Sequence, residues 1–124
     1  LVTNGQEELA SIAYLVTMAF VEANSAYIRD VGDFYEAELN ALATAFPTVI
    51  DRIEGSRHLS AVVFHPGDAV SRFVAYLNGA GIDISAQAYK LDAPPAALTK
   101  LPLVSSHRMV EFLVSKMRES IEHL

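Results

Sequence analysis

The spacing of hydrophobic residues changes in the middle of this chain, and that change constrains the fold more than any other feature. Between residues 25 and 46 apolar side chains recur every three or four positions, which predicts a long amphipathic helix ended by Pro47. The residues of this stripe are Ile28, Val31, Tyr35, Leu39, Leu42 and Phe46. Residues 59–64 instead form a compact apolar run with two valines, which predicts a central strand. A chain of 124 residues with both patterns is long enough for one α+β domain with its own core.

Another helix is predicted before the long one. Residues 6–24 are apolar nearly all round, so we expect a helix that is largely buried. Thr3 or Asn4 is its candidate N-cap, because a side-chain oxygen there can accept a hydrogen bond from the first turn. Ser25 is the candidate N-cap of the long helix that follows.

Two shorter helices are predicted in the second half of the chain. Asp68 opens the first of them, and the glycines Gly79 and Gly81 stop it, so we interpret this glycine pair as a C-cap. Ser105 or Ser106 caps the last helix, whose apolar residues again recur at helical spacing as far as residue 121.

The extended segments predict a small sheet. Residues 49–53 and 82–89 are strand candidates beside the central run at 59–64. Residues 91–104 contain three prolines, so we expect a loop or an extended segment without regular pairing. The predicted fold is therefore α+β, with a small, mostly antiparallel sheet of about three strands covered by helices and preceded by a long helix.

Charge and composition exclude several classes of function. The net charge of -6 and the lack of any basic cluster argue against a nucleic-acid partner and against binding to anionic membranes. The longest apolar stretch, residues 9–21, is too short to span a bilayer, and its acidic upstream flank is unlike a signal peptide. The absence of cysteine removes disulfides and thiolate chemistry and favours a cytoplasmic location.

Residue spacing offers no catalytic centre. The four histidines have no spacing that would place two metal ligands on one helix face, and no serine lies in a nucleophile elbow. Acidic pairs such as Asp30 and Asp33 are interpreted as the solvated faces of helices. These patterns predict neither a metal site nor a nucleophile of the chain's own. The histidines are His58, His65, His107 and His123.

Two segments are candidates for anion binding. Residues 3–5 precede a helix N-terminus, where backbone amides and the Thr3 hydroxyl can bind a phosphate group; a plain N-cap is the alternative. Lys90 is followed closely by Pro94 and Pro95, which stiffen the segment and can hold the ammonium group towards an anion; a solvated lysine is the alternative. On the residues alone, the chain is a soluble α+β domain without a catalytic centre of its own. The alternative is that residues 59–89 form half of a ferredoxin-like module that binds a small ligand or a partner.

The order of these segments resembles the last third of class III pyridoxal-phosphate-dependent aminotransferases of the acetylornithine and 4-aminobutyrate type. Residues 3–10 are similar to the family's Thr-x-Gly-x-Asn-Pro-Leu-Ala segment, and residues 53–59 to its Val-Arg-Gly-x-Gly-Leu turn. Residues 81–82 and the pair Pro94–Pro95 follow in the family's order. Departures at Glu7-Glu8, which replace Asn-Pro, and elsewhere indicate a divergent subfamily.

The resemblance implies a division of the chain and a set of roles. Residues 1–24 would end the large domain and link it to a C-terminal small domain at 25–124. Thr3 would bind the phosphate of pyridoxal 5'-phosphate, and Lys90 would bind the substrate carboxylate, although it lies one residue out of register with the family's arginine. The parent enzyme would move an amino group between an amino acid or amine and a 2-keto acid, as a homodimer or higher oligomer.

The same resemblance predicts how the isolated chain behaves. The Schiff-base lysine would lie upstream of residue 1, where the chain begins with Leu rather than Met, so we expect no catalytic residue here and no activity of the chain alone. The first helix should then present apolar side chains outwards and favour oligomers. The alternative is a free-standing α+β domain for ligand binding or protein interaction.

Overall fold

The computed structural model describes residues 8–87 and 93–124. Four helices and four strands alternate in blocks along these residues, and the longest helix, of 21 residues, is the second. Their order is α1 (Glu8–Ala23), α2 (Ser25–Ala45), β1 (Ile50–Ser56), β2 (Leu59–Phe64), α3 (Ala69–Gly79), β3 (Ser85–Gln87), β4 (Ala96–Lys100) and α4 (His107–Glu122). The predicted α+β class is confirmed.

The four strands form one antiparallel sheet in the order β1-β2-β4-β3. The expectation that residues 91–104 lack regular pairing is wrong, because β4 pairs with both β2 and β3. The prolines do not interrupt this strand, since Pro94 and Pro95 precede it and Pro102 follows it. The Pro95 carbonyl even extends the ladder by accepting a hydrogen bond from the Phe64 amide at 2.8 Å. A proline lacks only the backbone N–H donor, so its carbonyl oxygen can still accept a hydrogen bond from the neighbouring strand.

The core lies between one face of the sheet and helices α2, α3 and α4. Alternate residues of the strands point into it, for example Val62 opposite Ala97 in adjacent strands. The stripe predicted on α2 is buried along its length, which confirms that interpretation. The fully buried large side chains include Tyr35, Leu39, Leu42, Ile50, Val62, Phe64, Phe73, Leu77 and Met117.

The helix ends agree with the sequence at one predicted cap and differ at another. The Ser106 side chain accepts a hydrogen bond from the Met109 amide at 3.3 Å and so caps α4. At α2 the cap position belongs to Asn24, and Ser25 is already the first helical residue. The Asn24 side chain donates back to the Phe20 carbonyl at 2.8 Å instead of capping α2, because α1 ends immediately before it.

Helix α1 has no buried residue, so the expectation of a largely buried first helix is wrong for this chain. The chain bends by 80° between α1 and α2, which carries α1 away from the core. Its apolar side chains consequently point outwards, as the resemblance predicted. The exposed ones are Leu9, Ile12, Tyr14, Leu15, Val16, Met18 and Phe20.

Within residues 8–87 and 93–124, no single helix combines the length and apolar character needed to cross a membrane. The bent pair of α1 and α2 meets that length and composition test only when the two helices are taken together.

Candidate functional site

The two residues to which the sequence assigned binding roles, Thr3 and Lys90, lie outside the described residues. Thr3 falls in residues 1–7, and Lys90 falls in residues 88–92. Their roles therefore stay predictions. The described residues contribute the surfaces on either side of them in the sequence, which are the start of α1 and the strands β3 and β4.

Each histidine has its own separate surroundings. His65 Nε2 lies 3.1 Å from the Pro47 carbonyl oxygen, and His107 Nε2 lies 3.1 Å from the Asp30 carboxylate. His123 Nδ1 lies 2.6 Å from a backbone carbonyl oxygen in its own helix. Across the described ranges, no three histidine, aspartate or glutamate side chains are grouped so that they could hold a metal ion.

The two lysines in the described part of the chain do not resemble catalytic amines. The Lys116 ammonium donates to Glu119 Oε2 at 2.7 Å, and this hydrogen bond raises the Lys116 pKa. A lysine held in its charged form has no free electron pair for attack on a carbonyl carbon. Lys100 is exposed at the end of β4.

The tip of the β1–β2 hairpin is fixed against α2. The Arg57 amide donates to Glu36 Oε2 at 2.9 Å, and the Arg57 guanidinium donates to Asp33 Oδ1 at 2.5 Å. Arg57 has a backbone φ of 49°, a left-handed conformation that is unusual for a residue with a side chain. The interpretation of Asp33 as a merely solvating charge is therefore incomplete, because sequence spacing could not reveal a partner 24 residues away.

His58 packs where α2 carries a glycine. A Cβ added at Gly32 would lie 2.8 Å from His58 Nδ1, so only glycine leaves room for the imidazole. Burial and, to a smaller extent, the neighbouring Arg57 charge lower the His58 pKa. The contact between Gly32 and His58 completes the attachment of the hairpin to α2.

The second face of the sheet carries none of the described helices. Its residues come from all four strands and surround a shallow depression of about 350 Å³. Arg52 on this face pairs with the carboxylates of Asp51 and Glu54. The depression is lined by Arg52, Glu54, Ala61, Val63, Gln87, Ala93, Pro94, Ala96 and Leu98.

A cleft that sequence reasoning missed lies between α4 and the segments that flank β3 and β4. Its inner cavity of about 220 Å³ reaches Tyr35, and its outer cavity of about 460 Å³ reaches Ser105. Ile82, Leu101, Pro102 and Leu113 line both cavities, so the two are adjacent.

Two hydroxyl groups in this cleft are buried without a hydrogen-bond partner among the described residues, namely those of Tyr35 and Ser105. Burial raises the pKa of Tyr35 to about 12. The Thr99 hydroxyl is near enough to lower this pKa in part by hydrogen bonding, although the two side chains do not meet hydrogen-bond geometry in the structure. The Thr99 hydroxyl itself donates to the Ser60 carbonyl at 2.9 Å. No sequence pattern marks these hydroxyls, because Tyr35 simply occupies one position of the apolar stripe on α2.

Comparison with solved structures places this fold among transaminases. The lysine aminotransferase of M. tuberculosis, in its internal aldimine form, matches 86% of this chain with a TM-score of 0.71 and 17% identity. An aminotransferase from Bacillus anthracis matches 89% with a TM-score of 0.73 and 16% identity. A transaminase from the marine bacterium Virgibacillus matches 88% with a TM-score of 0.70 and 15% identity.

The chain spans about a quarter of the length of these proteins, between 24% and 27%. No protein-family model matches the sequence, and no curated protein matches it. At identities of this size, the comparison establishes a shared fold. The described α+β architecture is thus one that occurs as a part of aminotransferases.

Proposed function

We propose that this chain is the C-terminal small domain of a class III pyridoxal-phosphate-dependent transaminase. The observation that carries the proposal is the asymmetric coverage of the structural matches. Between 86% and 89% of this chain is aligned, against only 24–27% of each matched protein. The parent enzyme would transfer an amino group between an amino acid or amine and a 2-keto acid.

The distribution of buried residues supports a boundary near residue 24. Among the described residues, the buried core side chains all lie between Ile28 and Ile121, whereas α1 contributes none. In the proposed parent, residues 1–24 end the large domain and link it to the small domain at 25–124. The large domain would then cover the apolar side chains of α1, which otherwise remain in contact with water.

The open face of the sheet is the second surface that the large domain would cover in this proposal. Val63 is almost fully buried on this face, yet Leu98 beside the same depression is 41% exposed. A sheet face that mixes small apolar residues with Arg52 and Glu54 suits an interface that is partly polar. We assign no catalytic role to these two residues.

The described residues do not fit pyridoxal 5'-phosphate as a complete site. Of the two described lysines, Lys116 is held as an ammonium ion by Glu119 and Lys100 is exposed. When bound, the cofactor supplies an electron sink, and the protein supplies a lysine, a partner for the ring nitrogen and orientation. In the proposal that lysine belongs to the large domain, and this chain on its own has no transaminase activity.

Thr3 is proposed to donate its hydroxyl to the cofactor phosphate at the N-terminal end of α1. In the parent enzyme, Thr3→Val should weaken cofactor affinity about tenfold, because it removes one hydrogen bond to a charged group. Thr3→Ser keeps the hydroxyl and is the matched control. Equal cofactor affinity in Thr3→Val and the unchanged enzyme, measured by equilibrium titration, would contradict this role.

Lys90 is proposed to bind the carboxylate of the substrate. In the parent enzyme, Lys90→Gln should raise KM for a carboxylate substrate and leave KM for a simple amine unchanged. Lys90→Arg retains the charge and should preserve most of the affinity. A rise in KM that is equal for both substrate classes would show that Lys90 does not bind the carboxylate.

The coding sequence upstream of Leu1 tests the proposal as a whole. An open reading frame that continues upstream into a large domain with a cofactor lysine is the expected result. A start codon immediately before Leu1 would instead favour the alternative, a free-standing α+β domain that binds a ligand or a protein.

A further inference from the structure

The cleft beside α4 contains two buried hydroxyl groups that lack a partner. The Tyr35 side chain is fully buried in the inner cavity, and Ser105, which is 1% exposed, lies in the outer cavity. Neither hydroxyl has a hydrogen-bond partner within residues 8–87 and 93–124. A buried polar group without a partner is costly, so a cavity beside it is a place where a ligand can supply the missing acceptor.

The remaining lining of the cleft is mainly apolar. Around Ser105 the walls consist largely of hydrophobic side chains, and together the two cavities lie in the roughly 300–1,000 Å³ range of small-molecule sites. An apolar body of a ligand can therefore be buried in the outer cavity. Its apolar walls are Ile82, Leu101, Pro102, Met109, Phe112 and Leu113.

The charged residues of the cleft favour an anion. Lys100 lines the inner cavity and Arg108 lines the outer one, whereas Asp83 is the acidic residue among the lining side chains. The lining is thus positive by one charge, although the whole chain carries a net charge of -6. Local positive charge on an acidic protein indicates complementarity to a negatively charged ligand.

We propose that this cleft binds a monocarboxylate with an apolar body and a second oxygen acceptor. The carboxylate accepts a hydrogen bond from Tyr35 and lies near the Lys100 ammonium, and the second oxygen accepts from Ser105. Because the Tyr35 pKa is about 12, its hydroxyl stays protonated and available as a donor at every physiological pH. The proposal rests on the described residues of the cleft and does not depend on the transaminase proposal.

Titration of the 124-residue chain with 4-oxo-4-phenylbutanoate, followed by NMR of the backbone amides, tests this site. The expected result is saturable shifts in residues 82–84 and 98–106. Tyr35→Phe and Ser105→Ala should each weaken binding about tenfold, whereas Tyr27→Phe, an exposed tyrosine of the same helix, should not. The uncharged methyl ester should bind more weakly than the acid.

Three outcomes would overturn the proposal. The first is a lack of saturable shifts, which would mean that the hydroxyls are satisfied by water alone. The second is shifts confined to α1, which would mean that the probe only coats the exposed apolar helix. The third is that both hydroxyl variants bind the acid as tightly as the unchanged chain does, or that the ester binds as tightly as the acid. Ser105 precedes α4, outside the α2 stripe that contains Tyr35, so Ser105→Ala keeps the test valid if Tyr35→Phe fails to fold.

Discussion

At the scale of single residues, Gly32 shows how one missing side chain joins two elements. Alanine would be the better helix former in the middle of α2, by about 1 kcal/mol. Yet a Cβ at this position would lie 2.8 Å from both the Cβ of Arg57 and Nδ1 of His58. Gly32 therefore lowers the local stability of the helix, and it allows the β1–β2 hairpin to approach closely.

Gly32→Ala should consequently lower the free energy of unfolding by about 1–3 kcal/mol, because the hairpin tip must move. Gly79→Ala is the matched control, since a Cβ at Gly79, at the end of α3, would meet nothing within 4 Å. Urea denaturation of both variants is the measurement. A Gly32→Ala variant that is as stable as the Gly79→Ala variant would contradict the close contact.

Tyr35 makes a prediction about alkaline pH. Its folded-state pKa of about 12 lies above the ordinary value of 10.0, so between these pH values the unfolded chain releases the proton and the folded chain keeps it. Stability is therefore unaffected by the titration of Tyr35 below pH 10 and falls as the pH rises towards about 12, because the unfolded chain loses the proton first. A shift of this size corresponds to roughly 3 kcal/mol.

Thermal unfolding from neutral pH upwards should show this loss in the unchanged protein. Tyr35→Phe should remove that part of the alkaline decline, while the other tyrosines contribute equally to both proteins. Stability curves that remain parallel up to about pH 12 would show that Tyr35 titrates normally.

At the scale of elements, helices with one apolar stripe could be predicted from the sequence and β4 could not. The stripe on α2 and the cap at Ser106 depend on residues within one or two turns, so local spacing is sufficient to find them. Strand β4 is only five residues long and depends on pairing with β2, which lies far away in the sequence. The flanking prolines gave a local signal for a loop, and the pairing overrides it.

Helix α1 was correctly predicted as an element, but the prediction that it is largely buried was wrong. The sequence shows that this helix is apolar on all sides. It does not show whether the surface that covers the helix belongs to the same domain or to another one. The 80° bend after Ala23 leaves α1 without that cover.

Removal of residues 1–23 should leave the core intact, since α1 contributes no buried residue. We expect an unchanged sheet and helical core by NMR, and weaker self-association in sedimentation, because seven large apolar side chains of α1 are removed. Deletion of residues 105–124 is the control and should unfold the chain, since α4 supplies Val110, Val114 and Met117 to the core. Unfolding of the shortened chain that lacks α1 would show that this helix belongs to the domain.

The candidate site could be predicted only in part, because some of it depends on contacts between segments that are distant in the sequence. Thr3 and Lys90 were found as local patterns that resemble a family, whereas the cleft at Tyr35 and Ser105 arises where distant segments meet. Sequence spacing identifies an apolar stripe, and it does not reveal which member of that stripe leaves a hydroxyl without a partner.

At the scale of the whole molecule, the fold and the chemistry are separate questions. The α+β architecture occurs as about a quarter of several transaminases, and of the two described lysines Lys116 is paired with Glu119 and Lys100 is exposed. In the proposed parent enzyme, the reaction belongs to residues outside this chain, and the chain helps to complete the active site.

The most direct test is to compare amino transfer by the 124-residue chain with that of the protein that includes its upstream coding sequence. Both are mixed with pyridoxal 5'-phosphate, an amino acid and a 2-keto acid, and formation of the new amino acid is followed. We expect amino transfer only by the longer protein. Turnover by the 124-residue chain at a rate comparable to that of the longer protein would contradict the central claim.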